Sequence, residues 1–312
     1  MLEKGLTLIM VVMRGSLRSL KEFIVYLDNY IRGRYWYVVG SFILRSPIWP
    51  KLDVKSSSEA NEGGKQGRKI FVMMHCGQLT ELYDHCLKSA KVCCPDSLIE
   101  LFTDLSTEER AVLQKYGINF HDIRAKDFAK KSIALKIDLL KYLDLRHGDR
   151  VIVSDLDILF QGDPFIVFEN DFDVFFTTRH YDYHYPINGG IWGFRVNERS
   201  RRFIVYYIRQ MYTKSWNQLR EFKKRFYRLP YGFGWFDDQD FLCTVYENLK
   251  TLPEEISDVR FYDAGYRFNY CPSYDTDGQA AVQDLKSKLG NKDFVVLHLK
   301  GELKQLICTA EL

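Results

Sequence analysis

Four short apolar runs, spaced by helix-length segments, constrain this chain more than any other feature. They are KIFVMMH at 69–75, SLIELFTD at 97–104, INFHDI at 118–123 and VIVSDLD at 151–157. Each has the length of a strand, and such runs read as strands buried on both faces of a parallel sheet. The segments between them have helical character. LTELYDHCLKSA follows the first run. STEERAVLQKYG follows the second; it opens with Ser106 and Glu109 as a capping box and closes at Gly117. AKKSIALKIDLLKYLDL precedes the fourth and carries Ile133, Ile137, Leu140 and Leu143 at apolar spacing. This alternation predicts an α/β fold, a mostly parallel sheet flanked by helices. Further strands are expected in DFDVFFTTR (171–179), INGGIWGFRV (187–196) and DFVVLHLKG (293–301), and a helix in DDQDFLCTVYENL. Residues 198–228 hold ten Lys and Arg against two acids, with apolar Phe203, Tyr207, Met211 and Phe222. That pattern fits a helical pair with a solvated basic face better than an anion site.

The main domain is expected to span 69–312, behind a helical and apolar extension at 1–54 and a polar linker or loop at 55–68. The extension has Leu17, Leu20, Ile24, Leu27 and Ile31 at helical spacing, with Ser16 placed to cap and Gly33 to terminate. Residues 1–50 carry seven Lys and Arg against three acids, while the whole chain is only +3. The small net charge speaks against a nucleic-acid partner. The basic, apolar start has two readings, peripheral contact with a membrane surface or packing onto its own domain. LTLIMVVM is only eight residues long and Arg14 and Arg18 follow closely, so no secretory signal is expected. The seven cysteines are odd in number and lack C-x-x-C spacing, which reads as reduced thiols. Together these features predict a cytoplasmic protein, peripheral at a membrane surface if residues 1–50 dock there.

The fourth run ends in Asp155-Leu156-Asp157. Two carboxylates two apart in extended chain point to one face and repel. Three readings compete. A divalent cation, Mg²⁺ or Mn²⁺, bridges the carboxylates and a diphosphate. Alternatively Asp155 is the nucleophile of a haloacid-dehalogenase-like phosphatase. Alternatively both acids are solvated ahead of the turn at Gly162-Asp163-Pro164. The phosphatase motif usually opens its domain, whereas here several β-α units precede it. Downstream, HLKGELK (298–304) offers a His298 imidazole to a cation, close backbone approach at Gly301 and a point charge at Lys304. INGG places Asn188 before Gly189 and Gly190, which suits a bound polyol or a simple turn. WFDDQDFLC (235–243) gathers Asp237, Asp238, Gln239 and Asp240 at a helix start, where acids favour the helix dipole or hold sugar hydroxyls.

In this order, D-x-D, N-G-G, D-Q-D and H-x-x-G-x-x-K resemble the motifs of GT-A-fold nucleotide-sugar glycosyltransferases. They are most similar to the retaining family 8 type, which includes glycogenin-like and lipooligosaccharide galactosyltransferase enzymes. The resemblance covers about residues 69–304. It implies a Rossmann-like GT-A domain that transfers sugar from a nucleoside-diphosphate donor, UDP-sugar favoured, to a glycan, glycolipid or glycoprotein acceptor. It implies Mn²⁺ or Mg²⁺ on Asp155, Asp157 and His298, with Leu156 between the acids. Gly301 and Lys304 would hold the diphosphate, and Asn188 and Gly189 the donor sugar. Asp238 and Gln239 would lie near the reacting carbon. His75, Cys76, Gly77 and Asp104 would approach the nucleoside. Two departures stand out. The arginine common in the helix before D-x-D is absent from Ala134-Leu135-Lys136, leaving Lys136, or Lys130 and Lys131, to substitute. Gln305 and Leu306 stand where proline and tryptophan often follow the terminal lysine. An inactive sugar-nucleotide-binding homologue is the alternative to an enzyme.

Overall fold

The apolar runs take their expected places in one sheet. A computed structural model describes residues 67–123, 136–137, 139–180, 186–213, 237–272, 278–299 and 303. Nearly all of these fall in one compact unit, 56–208 with 238–312. The extension at 1–54 and almost all of the linker at 55–68 lie outside the described residues, as do 129–135 and 138 of the helix expected before the fourth run, whose described end is a 3₁₀ turn at Leu139–Tyr142.

Strands β1 (Lys69–His75), β2 (Leu98–Thr103), β3 (Ile118–Asp122) and β4 (Arg150–Ser154) correspond to the four runs. Helix α1 (Glu81–Cys93) links the first pair and α2 (Thr107–Leu113) the second. The capping box at α2 forms as expected: Ser106 Oγ accepts from the Glu109 N–H at 3.2 Å, and Glu109 Oε2 accepts from the Ser106 N–H at 2.9 Å. The helix tightens into a 3₁₀ turn and stops at Gly117, whose φ of 63° is left-handed. After β4 come β5 (Ile158–Phe160), β6 (Val174–Phe176), β7 (Ile191–Arg195), α3 (Glu198–Thr213), α4 (Asp237–Glu247), β8 (Phe261–Asp263), α5 (Gly278–Lys288) and β9 (Val296–His298).

The main sheet has the order β3-β2-β1-β4-β7-β6-β8. The first four strands are mutually parallel, β7 is antiparallel to both β4 and β6, and β8 is parallel to β6. Six strands therefore share one direction and β7 opposes them. The order reverses between β1 and β4, the position where ligands collect beyond the carboxyl ends of strands. A second, two-stranded sheet pairs β5 with β9 antiparallel, with Ile158 opposite His298.

Burial explains the positions of the strands. Phe71, Val151 and Ile152 are wholly buried, as is Phe175 on β6. Phe165, Phe168, Phe172 and Phe175 form a run of stacked and edge-on rings. Each such side chain contributes about 1.5–3 kcal/mol over exposure. The expected strand at 171–179 shortens to Val174–Phe176 because Asp173, at its entry, turns to a different task. Its fully buried carboxylate accepts from Arg199 Nε at 2.7 Å, the Arg260 N–H at 2.9 Å and Asn197 Nδ2 at 2.8 Å. Burial alone would raise its pKa, but these donors outweigh that and hold it well below the usual carboxylate range. Asp173 thereby ties β6 to the start of α3 and the approach to β8.

Candidate active site

The chain leaves β4 at Ser154 and reaches β5 at Ile158, so Asp155, Leu156 and Asp157 form the step between the two sheets. Each residue of the step is fixed. The Asp155 N–H donates to Gly190 O at 2.8 Å, Ser154 Oγ donates to Asp155 O at 2.6 Å, and the Leu299 N–H donates to Asp157 O at 2.7 Å. Leu156 points into the main core, which leaves the two acids on the other side. Antiparallel pairing of β5 with β9 then sets His298 beside Ile158, immediately after the second acid. Three segments remote in sequence thus converge for reasons of topology.

His298 Nε2 lies 3.2 Å from Asp157 Oδ1 and 3.9 Å from Asp155 Oδ2. One ligand atom from each of the three residues lies within 4.8 Å of the others. The histidine is 1% exposed, whereas the two acid side chains are 30% and 19% exposed. The group is therefore rooted in the core and open on one side. Lys136 Nζ, from the short helical piece before β4, contacts Asp155 and supplies a neighbouring positive charge.

The polar surroundings fit a cation. His298 Nδ1 is 3.1 Å from Asn269 Oδ1, which leaves Nε2 facing the acids. Two carboxylates and an imidazole lone pair are all electron-rich. Oxygen and nitrogen donors of this kind suit Mn²⁺ or Mg²⁺, with the imidazole favouring the softer Mn²⁺.

The glycines of N-G-G have unequal surroundings. A Cβ at Gly190 would lie 2.2 Å from His298 Cε1 and Nδ1, so only glycine lets the imidazole seat there. A Cβ at Gly189 would lie 3.4 Å from Gln239 Cβ, an ordinary contact. Gly189 thus sits beside Gln239, which is itself buried near the start of α4. Asn188 is fully buried and its Nδ2 donates to Asn269 O at 3.0 Å. The side chains of Asp237, Asp238 and Asp240 lie outside the described residues, as do Gly301 and Lys304.

The loops after β1 and β2 occupy the same edge of the sheet, because Met73 pairs with Ser154 and His75 with Thr103. The Gly77 N–H donates to Asp104 Oδ1 at 2.9 Å and binds the two loops together. Gly77 has a φ of 104°, which only glycine adopts without strain. His75 Nε2 is 3.1 Å from Gln78 O, and its ring centroid is 4.1 Å from that of Tyr83. Burial lowers the His75 pKa, keeping the ring neutral. Burial and Asp104 push the Cys76 thiol up to about 12, so it is no nucleophile at neutral pH. Asn269, Thr177 and the tight seat at Gly190 have no counterpart in the sequence reading. Their only signal is contact between distant segments.

A family model described as nucleotide-diphospho-sugar transferase matches residues 107–255. Among solved structures, the galactosyltransferase LgtC in complex with donor and acceptor sugar analogues is 16% identical, over 75% of this chain and 87% of that one, at a TM-score of 0.45. Mouse xyloside xylosyltransferase 1 is 12% identical, over 76% and 98% respectively, at 0.46. The glycosyltransferase GlyE of Streptococcus pneumoniae TIGR4 is 13% identical, over 76% and 55%, at 0.45. No curated protein matches by sequence. The family match spans α2 to the turn before β8 and includes the D-x-D step, so this stretch, just under half of the chain, is similar to nucleotide-diphospho-sugar transferases.

Proposed function

We propose that the protein is a metal-dependent, retaining glycosyltransferase that moves a sugar from a nucleoside diphosphate, UDP favoured, to a hydroxyl of a glycan, glycolipid or glycoprotein. The convergence of Asp155, Asp157 and His298 carries this reading. Breaking the anomeric bond releases a nucleoside diphosphate bearing several negative charges. A divalent cation held by these three residues would supply Lewis-acid stabilisation of that departing charge.

The chain's own groups support the remaining steps. Lys136, already against Asp155, adds positive charge at the diphosphate side. The loop of His75, Cys76 and Gly77, tied to Asp104, suits the nucleoside because it lies beyond the strand ends at the reversal of strand order. Gly301 and Lys304 complete the diphosphate site, with Gly189 on the donor-sugar side; the Asn188 side chain, expected there from the sequence, is instead fully buried against Asn269. Gln239, set against Gly189, supports retention: a buried neutral amide does not deprotonate an acceptor, but its carbonyl oxygen stabilises positive charge developing on the sugar ring. Asp238 shares that role at the same helix start. In a retaining reaction the leaving phosphate oxygen itself takes the acceptor's proton. The basic, apolar segment 1–50 supports a peripheral contact with an anionic membrane surface, which liposome flotation with and without that segment tests. No described helix is long and apolar enough to cross a membrane.

The experiment is a thermal-shift screen of UDP-, GDP- and dTDP-sugars with and without Mn²⁺. One donor raising the melting temperature only with Mn²⁺ is the expected result. No shift with any donor, or equal shifts without the metal, contradicts it.

A further inference from the structure

Behind His298 lies a closed polar cluster in the core. Thr177, Asn188, Asn269 and His298 are each at most 1% exposed. They come from the end of β6, from N-G-G, from the turn after β8 and from β9. Their hydrogen bonds can be assigned direction by direction. Asn269 Nδ2 lies 2.9 Å from the backbone oxygen of Asn188 and 2.9 Å from Thr177 Oγ1. A carbonyl oxygen only accepts, so the atom facing it is the amide nitrogen. The Thr177 hydroxyl is also 2.9 Å from both Asn188 O and Ile191 O. Its single proton goes to one of these carbonyls, and its lone pairs face the amide.

With the amide nitrogen so occupied, the Asn269 carbonyl oxygen faces His298 Nδ1 at 3.1 Å. An acceptor there requires a proton on Nδ1, while on the other side Nε2 lies 3.2 Å from Asp157 Oδ1 and donates to it until a cation takes the place of that proton. The peptide of Asn269 is clamped as well: its oxygen accepts from Asn188 Nδ2 at 3.0 Å, and the oxygen of Tyr270 accepts from the His298 N–H at 2.7 Å. Ring angle and the Nδ1 proton are thus both imposed from behind, which leaves Nε2 as the nitrogen that exchanges its proton for a cation.

We propose that Asn269 is a positioning residue, one that fixes His298 in its Nδ1–H form so that Nε2 presents a lone pair between Asp155 and Asp157. Thr177 and Asn188 hold the Asn269 amide in the required orientation. This assignment rests on the metal reading given above. Partners behind a ligating histidine typically change metal affinity about 10- to 100-fold when removed.

The test uses the full chain labelled with ¹⁵N-histidine, at a pH well above the ordinary histidine range and without metal. Long-range ¹H–¹⁵N correlations identify the tautomer of His298, assigned by loss of its signals in His298→Gln. The expected result is a proton on Nδ1, with or without a second one on Nε2. Calorimetry with Mn²⁺ alone should show affinity falling about 10- to 100-fold in Asn269→Leu, which offers no acceptor. Should Asn269→Leu fail to fold, the wild-type Nδ1 proton still decides. A chain that binds Mn²⁺ with His298 in the Nε2–H form, or a folded Asn269→Leu with unchanged affinity, overturns the assignment alone. A wild-type chain that binds no Mn²⁺, with or without UDP, overturns the metal reading on which it rests.

Discussion

Two adjacent glycines make a sharp experiment. Replacing Gly190 by alanine would put a methyl carbon 2.2 Å from two atoms of the His298 ring and 3.2 Å from a third. Ordinary contact begins at 3.4 Å, so one side must yield by about 1 Å. The ring has no room behind it, because Asn269 Oδ1 already lies 3.1 Å from Nδ1. The backbone cannot yield harmlessly either, since Gly190 O accepts the Asp155 N–H at 2.8 Å and moving it drags the first acid. A displacement of about 1 Å at reacting or ligating groups costs on the order of 100-fold. Gly190→Ala should therefore weaken Mn²⁺ binding by 10-fold or more and lower Mn²⁺-dependent donor hydrolysis by about 100-fold. Gly189→Ala meets only the Gln239 side chain at 3.4 Å and should leave Mn²⁺ affinity within about twofold, because it does not touch the ligands. Calorimetry with Mn²⁺, alongside thermal melts that establish folding, measures both. A folded Gly190→Ala chain with wild-type Mn²⁺ affinity would refute the steric reasoning.

Other outcomes follow from the same geometry. Asp155→Asn, Asp157→Asn and His298→Ala should each abolish most Mn²⁺-dependent donor hydrolysis while retaining a cooperative melt; normal turnover in any of them contradicts the site. Asp173 is held below its unfolded pKa, so its contribution is complete above about pH 4 and is lost as pH falls through the lower folded value. Asp173→Asn should cost about 1–3 kcal/mol at neutral pH by urea denaturation and flatten the acid limb of stability, because a buried amide cannot accept from Arg199, Arg260 and Asn197 together, while the half-exposed arginines keep their solvent. Cys76, with its pKa pushed up to about 12, should resist iodoacetamide at pH 8 in the native state by mass spectrometry; rapid native-state labelling counts against its described environment.

Much of this architecture was legible because buried parallel strands are continuous apolar runs. KIFVMMH, SLIELFTD, INFHDI and VIVSDLD announce β1 to β4 with ends correct within a few residues. The capping box at Ser106 and Glu109 is equally local and equally readable. The elements without a signal in the sequence are short or polar. β5 and β8 have three residues each, too few to show a period, and α5 exposes so much of GQAAVQDLKSK that its apolar face is thin. The reversed direction of β7 leaves no trace in its composition, because a buried antiparallel strand and a buried parallel one use the same residues.

The site divides the same way. Asp155, Asp157 and His298 could be paired from their chemistry and order, since charges at strand ends are unusual. Asn269 stands in RFNYCPS without any local pattern, and its meaning comes from partners 29, 81 and 92 positions away. Gly190 looked interchangeable with Gly189 until the imidazole was placed against it. Long-range packing, not propensity, assigns those roles.

The most direct measurement is anomalous diffraction at the manganese edge from crystals grown with Mn²⁺ and UDP. The account predicts a single strong peak bonded to carboxylate oxygens of Asp155 and Asp157 and to His298 Nε2, with the diphosphate on its open side. A peak elsewhere, or these three side chains turned apart with ordered UDP and no manganese between them, would contradict it.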